Sequence, residues 1–235
     1  MSFNPEKCEV LRITNRKKNI IATNYKIHGT ILNLTKNAKY LGLSITPSLS
    51  WSEHINKITK KANSTRGFIQ RNLRHASPEL KTQAYFTFIR PILEYSSTVW
   101  DPYTSTNINK IEMVQRKAAR FVMNDWSRHS SVSTMLEHLK WQSLQARRAQ
   151  SKTIMMYRIS HNLIAIPFST PYITTPTYAG TRGHNQRLFQ QPTRLNTFKF
   201  SFFPSVVPLW NSLDSSIVCA PSIDSFKARL THHQF

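Results

Sequence analysis

Apolar and polar positions alternate loosely over the first 45 residues, then shift to helical spacing. Cys8–Ile13 reads as a strand, bounded by Asn4-Pro5 and by the basic turn Asn15-Arg16-Lys17-Lys18-Asn19. Tyr25–Leu32 reads as a second strand region, with Gly29 at a hairpin turn. Lys39–Ile45 is apolar and β-branched and stops at Thr46-Pro47. Three short strands predict the edge of a mixed sheet, marginal unless it leans on something larger.

From Ser50 the period becomes helical. Ser50 and Glu53 match a capping box, in which each side chain satisfies the other residue's backbone N–H. Ile55, Ile58, Ala62, Ile69 and Leu73 form an apolar stripe. Ser77-Pro78-Glu79 predicts a second helix start, running through Leu80, Ala84 and Phe88. Pro91 is expected to kink or break it, with Ile92–Trp100 continuing to a stop at Asp101-Pro102. A third helix is predicted over 106–124, with Ile108, Ile111, Val114, Ala118, Phe121 and Val122 inward. Helices near 132–139 and 141–161 follow. Beyond Leu163, Pro, Thr, Ser and aromatic residues predict an extended wrap to about Pro204, closed by short helices at Val206–Leu213 and Ile223–Leu230. There is no internal repeat. The expected fold class is mainly α: an N-terminal antiparallel hairpin or edge sheet (1–48), a helical bundle (49–162) and an extended segment with closing helices (163–235).

Charge changes the picture most. The chain of 235 residues holds 32 Lys and Arg against 11 Asp and Glu, a net charge of +21. Residues 1–159 hold 26 basic and nine acidic residues, and the remainder six and two. So basic a surface suits a polyanion, and nucleic acid is the usual one because phosphate contacts release counterions. Within the helix beginning near Ser50, Lys57, Lys60, Lys61, Arg66, Arg71 and Arg74 lie largely off the apolar stripe. Glu53 is the single acid between Trp51 and Ala76. A merely solvated helix interleaves both signs. Arg116, Lys117 and Arg120 on the third helix, and Arg147 and Arg148 near 141–161, extend the candidate basic surface.

Other chemistry finds little support. No apolar run approaches the roughly 20 residues of a membrane span. MSFNPEKCEV lacks the apolar stretch of a secretory signal. The expected location is nuclear or cytoplasmic. Cys8 and Cys219 stand far apart, so neither belongs to a clustered zinc site, and no metal ligand set, cofactor or small-molecule substrate is nominated. Two-metal phosphoryl transfer needs clustered carboxylates, and the sequence has no Asp-Asp pair. Nor does it carry a Gly-rich phosphate loop, GxSxG, HExxH or HxE…CxxC pattern. No independent enzyme activity is expected.

Three stretches resemble LINE-type (non-LTR) retrotransposon reverse transcriptases, read past their catalytic centre. Phe3-Asn4-Pro5-Glu6-Lys7-Cys8-Glu9-Val10-Leu11 is similar to the segment that closes the palm. Lys39-Tyr40-Leu41-Gly42-Leu43-Ser44-Ile45 with Leu49-Ser50-Trp51-Ser52-Glu53-His54-Ile55 resembles the primer-grip hairpin and the start of the thumb. Phe88-Ile89-Arg90-Pro91-Ile92-Leu93-Glu94-Tyr95, Val99-Trp100-Asp101-Pro102 and Ile111–Phe121 resemble the helical region after the thumb. Pro208-Leu209-Trp210-Asn211-Ser212-Leu213 and Ser225-Phe226 are similar to the extreme C-terminus.

The resemblance implies a fragment of an RNA-directed DNA polymerase whose Mg²⁺-binding Asp-Asp centre lies outside this chain. It implies RNA template, DNA primer or their hybrid as partner. Lys7 matches the family's palm lysine, idle without the metal site. Lys39, Tyr40, Leu41 and Gly42 match the primer grip. Lys57, Lys60, Lys61, Arg66 and Arg71 match a thumb helix tracking the template–primer. The bland readings stand beside these: Lys7 as a surface lysine, Tyr40 and Leu41 as strand core. An independent basic nucleic-acid-binding protein and a protein-interaction adaptor are the alternatives. Oligomeric state is not legible.

Overall fold

Left-handed turns, not long ladders, organise the N-terminal residues. The computed structural model describes residues 3–16, 18–21, 23–166, 173–174, 184–233 and 235. The chain divides into two units, Met1–Ile58 and Thr59–Phe235.

In the first unit a 3-10 turn, Pro5–Lys7, is capped by Asn4, whose side chain accepts from the Glu6 N–H at 3.0 Å. Strand β1 (Glu9–Leu11) pairs in parallel with β4 (Asn33–Thr35), Glu9 opposite Asn33. Strands β2 (Lys26–Ile27) and β3 (Thr30–Ile31) are antiparallel. His28 and Gly29 turn between them with φ of 49° and 82°. Positive φ at both central residues is the twist-matched I′ hairpin turn, as Gly29 predicted. Strand β5 (Ala38–Tyr40) and β6 (Leu43–Ile45) turn through Leu41 and Gly42, with φ of 45° and 84°. Periodicity had made Lys39–Ile45 one strand; the structure folds it into the hairpin that the resemblance implied. In place of one mixed edge sheet there are three two-stranded pairings among the described residues.

Helix α1 spans Ser52–Asn72. The expected capping box does not close. The Ser50 hydroxyl accepts from the Ser52 N–H at 3.4 Å, but Glu53 is engaged by Asn37 Nδ2 and by Lys57, 3.0 Å away. The predicted stripe is inward: Ile55, Ala62 and Ile69 are buried.

In the second unit, α2 (Pro78–Ala84) starts as expected, Ser77 Oγ accepting from the Leu80 N–H. The helical path runs on past Pro91, but not as regular α-helix. A π-helical turn, Tyr85–Ile89, leads into α3 (Arg90–Glu94), with Pro91 in its first turn. The irregular turn falls where Pro91 has no N–H to donate to the turn before it. Helix α4 (Ser97–Trp100) and α5 (Ser105–Met123) follow, and Ile111, Val114, Ala118, Phe121 and Val122 are buried as predicted. Helix α6 is Val132–His138 and α7 is Leu144–Ser160. Two devices open α7: Ser143 Oγ accepts from the Ala146 N–H, and the buried Glu112 carboxylate accepts from the N–H groups of Leu144 (3.2 Å) and Gln145 (2.7 Å). A carboxylate there satisfies free amides and faces the positive end of the helix dipole.

Helices α8 (Asn196–Lys199), α9 (Phe202–Asn211), α10 (Ser215–Val218) and α11 (Ile223–Leu230) complete the chain. Much of the expected extended wrap, 167–172 and 175–183, lies outside the described residues. Helix α9 begins before the expected Val206 because Pro204 sits in its first turn, where a proline is tolerated. The segment 163–235 belongs to the same unit as 59–162: α9 and α11 pack on α7. Tyr157, Val206, Trp210, Phe226 and Leu230 share its core. The Tyr157 ring stacks on Phe226 at 4.4 Å and its hydroxyl donates to the Ala220 carbonyl at 2.7 Å. Burying each such large side chain contributes about 1.5–3 kcal/mol. The fold is mainly α.

Candidate nucleic-acid interface

A basic residue is available to a polyanion only when the fold does not consume it. Lys60, Lys61 and Arg71 are exposed on α1, and Arg74 in the turn just past its end. Successive positions 60, 64, 67 and 71 repeat at three- and four-residue spacing, so they form one ridge. Ser64 and Gly67 on that ridge are small. Lys57 is also exposed, but its Nζ lies 3.0 Å from Glu53 and donates to Ser44 Oγ at 3.0 Å. Arg66 departs from the expectation. It stands four residues after Ala62 and three before Ile69, on the apolar side. It is half-buried there, and its Nη1 donates to Gln70 Oε1 at 2.9 Å. Loss of hydration lowers the pKa of its guanidinium from the usual value.

Three further arginines prove to be structural. Arg120 donates from Nη1 to the carbonyls of Asp125 (3.2 Å) and Ser127 (2.9 Å) and from Nη2 to that of Ser130 (3.1 Å). Arg147 makes a two-pronged pair with Glu94, Nη2 lying 3.0 Å from Oε2. That pairing holds the guanidinium charged, raising its pKa against the opposing effect of burial. Arg148 is 1% exposed, with Nε 2.7 Å from Asp101 Oδ1. Lys152, also buried, reaches Asp101 Oδ2 at 2.7 Å and Ser205 Oγ at 2.9 Å. Arg148 therefore cannot contact an external ligand, and Arg120 and Arg147 are committed to the fold. Amphipathic spacing could not reveal this, because their partners lie 5 to 53 residues away.

Arg116 and Lys117 are exposed on α5. Arg116 lines a cleft of about 580 Å³ with Glu112, Glu137, Lys140 and Trp141. Mixed charge makes that cleft a poorer polyanion surface than α1. In the N-terminal unit, Lys7 is exposed at the end of its turn. Lys39, Tyr40, Leu41 and Gly42 are exposed along the β5–β6 hairpin and its tip. Leu41 is 71% exposed, so Tyr40 and Leu41 are not strand core.

A second cleft, of about 570 Å³, joins the last turns of α1 to the end of α5. Gly67, Gln70, Arg71 and Arg74 line one side, and Phe121, Asn124 and Trp126 the other. Sequence reasoning missed Trp126 and Asn124. The signal was an aromatic in a polar turn just past a helix end, Asn124-Asp125-Trp126.

Among the described residues, no helix is long and apolar enough to cross a membrane. Nor do three His, Cys, Asp or Glu side chains gather where they could hold a metal ion.

No family model matches this chain, and no solved structure matches it at a significant level. It is similar to the probable RNA-directed DNA polymerase from transposon BS of Drosophila melanogaster, 23% identical over 125 residues. The match takes in 52% of this chain and 14% of that polymerase. The chain thus spans a small part of the relative it matches. The similarity supports a reverse-transcriptase-related origin.

Proposed function

We propose that this chain is the thumb and post-thumb part of a LINE-type reverse transcriptase, binding template–primer nucleic acid and contributing no catalytic carboxylates. The observation that carries the reading is the outer face of α1. Lys60, Lys61 and Arg71 are exposed there, Arg74 is exposed just past its end, and no acid occurs between Glu53 and Glu79. Such a face tracks a phosphate backbone without reading bases. The primer-grip role of Tyr40 and Leu41 is supported by their exposure at a hairpin tip.

Four of the eight acids of the helical unit suit this reading. Glu94 pairs with Arg147, Asp101 with Arg148 and Lys152, and Glu112 with backbone amides. The Asp125 carboxylate accepts from the Ser127 N–H at 2.9 Å. Each holds the fold together, and none of these donor sets fits a two-Mg²⁺ centre, where carboxylates must converge. Polymerase chemistry is therefore assigned to parts of the enzyme beyond these residues.

The test is binding of the full chain to an RNA–DNA hybrid, duplex DNA and single-stranded RNA across a salt series, with nucleotide incorporation assayed alongside. Affinity should fall linearly with salt on a log–log scale. Replacing Lys60, Lys61 and Arg71 with Ala should reduce the slope on duplex DNA by about 0.9 for each phosphate that is no longer neutralised. Salt-independent binding, or a slope unchanged in the triple variant, would sink the proposal. Incorporation by the isolated chain would overturn the catalytic assignment.

A further inference from the structure

We infer that the cleft between α1 and the end of α5 captures an unpaired nucleotide at the edge of a bound duplex, stacking its base on Trp126 and holding its phosphates with Arg71 and Arg74. This inference rests on the nucleic-acid reading and deepens it by naming a single-stranded feature.

Three observations converge. The first is presentation of an aromatic face. Trp100, Trp141 and Trp210 are buried and Trp51 is half-buried, whereas Trp126 is 49% exposed. Its turn is not loose. Asn124 ends α5 in the left-handed region at φ 51°. The Arg120 guanidinium then grips the carbonyls on both sides of Trp126, those of Asp125 and Ser127, and a third at Ser130. The Asp125 carboxylate accepts from the Ser127 N–H at 2.9 Å, and the Ser130 hydroxyl and this bond hold its pKa below the ordinary value. A pre-ordered turn leaves the indole less conformational freedom to lose on binding.

The second is charge. Arg71 and Arg74 line the cleft, and none of its described lining residues is acidic. Guanidinium groups match phosphate in geometry as well as sign. An aromatic face beside two guanidiniums matches base and phosphate together, the pairing by which single strands are held.

The third is continuity and space. Arg71 continues the ridge begun by Lys60 and Arg74 lies in the turn just past it, so a backbone followed along α1 arrives at the cleft. Gly67 leaves its floor bare; the nearest atom to a Cβ placed there is Arg71 Nη1, at 3.6 Å. A mid-helix glycine costs roughly 1 kcal/mol relative to alanine, and here it keeps open a cleft of about 570 Å³. That falls within the ~300–1,000 Å³ typical of small-molecule sites.

The experiment compares the full chain on a blunt duplex, the same duplex with a short 3′ overhang of DNA or of RNA, and the same overhang made abasic. Wild type should prefer base-bearing overhangs over blunt ends by on the order of tenfold, the worth of one stacked base. The abasic overhang should bind like the blunt duplex. Trp126→Ala should abolish the preference while leaving blunt-duplex affinity unchanged, and Trp126→Phe should retain most of it. The DNA and RNA arms show which strand supplies the nucleotide. Equal affinity for blunt and overhanging duplexes, or a preference indifferent to Trp126→Ala, would overturn the inference and leave duplex binding intact. Absence of binding even to blunt duplex would remove both this inference and the reading beneath it.

Discussion

The Asn211 side chain pairs with the backbone of Leu188 as a neighbouring strand would. Its Oδ1 accepts from the Leu188 N–H at 2.9 Å and its Nδ2 donates to the Leu188 carbonyl at 2.8 Å. Next to it, the Trp210 indole donates to the Gln186 carbonyl at 2.8 Å, and the Trp210 carbonyl lies 3.0 Å from His184 Nε2. Segment 184–188 has no regular structure of its own, and α9 supplies its hydrogen bonds. Asn211→Leu keeps the branched shape but strands two backbone groups of a buried residue. Each costs about 1–3 kcal/mol, so urea denaturation should show a loss of several kcal/mol. Little change would mean that the pairing contributes nothing.

Asp101 neutralises two buried cations. Asp101→Ala leaves Arg148 and Lys152 without their carboxylate and should destabilise the chain by about 3–5 kcal/mol. Changing all three together, with Met for Arg148 and Lys152, should recover most of that loss, because an apolar replacement leaves no uncompensated charge. Thermal unfolding of the single and triple variants separates ion-pair loss from simple packing loss.

Leu41 holds φ at 45°, a region costly for a bulky side chain. Asn followed by Gly is the favoured pair for this turn. Leu41→Asn should raise stability by about 1 kcal/mol. If the exposed leucine serves a primer-grip role, the same variant should bind template–primer more weakly. Greater stability with undiminished binding would argue against that role.

His54 gives the N-terminal unit a pH dependence. It is buried, its Nδ1 accepts from the Ser44 N–H at 3.3 Å, and burial followed by the nearby Lys57 charge lowers its pKa below 6.5. The unfolded chain takes up a proton at 6.5 while the folded chain still resists one. Stability is therefore complete above 6.5 and declines as pH falls from there toward the lower folded value. Denaturation at stepped pH should reveal this slope in wild type and not in His54→Asn.

Gly67→Ala places a Cβ at ordinary contact distance from Arg71 and should stabilise the chain by about 0.4–1 kcal/mol. A shift of the melting temperature downward would show that the helix there needs glycine for conformation and not for space.

The sequence made the helical skeleton legible because periodicity records which face meets the core: α5, α6 and α11 fall within a residue or two of expectation. It could not show where long polar side chains end. Arg71 and Arg148 look alike in a helical pattern, yet one is exposed and the other lies against Asp101, 47 residues away in sequence. The Trp126 cleft was illegible for a related reason. It is assembled from two helix ends, and its aromatic belongs to neither periodic pattern.

The π-helical turn at Tyr85–Ile89 has a consequence for length variation. It holds one residue more than the regular helix needs, and Tyr85, Ile89 and Leu93 are all buried around it. Deleting that surplus residue would let the regular hydrogen-bond pattern run through, with the turns on either side keeping their phase. Leu93 would stay in the core and Glu94 beside Arg147. This turn is therefore the place where the helix tolerates a change in residue number, which the regular turns on either side would pass on as a rotation of about 100°.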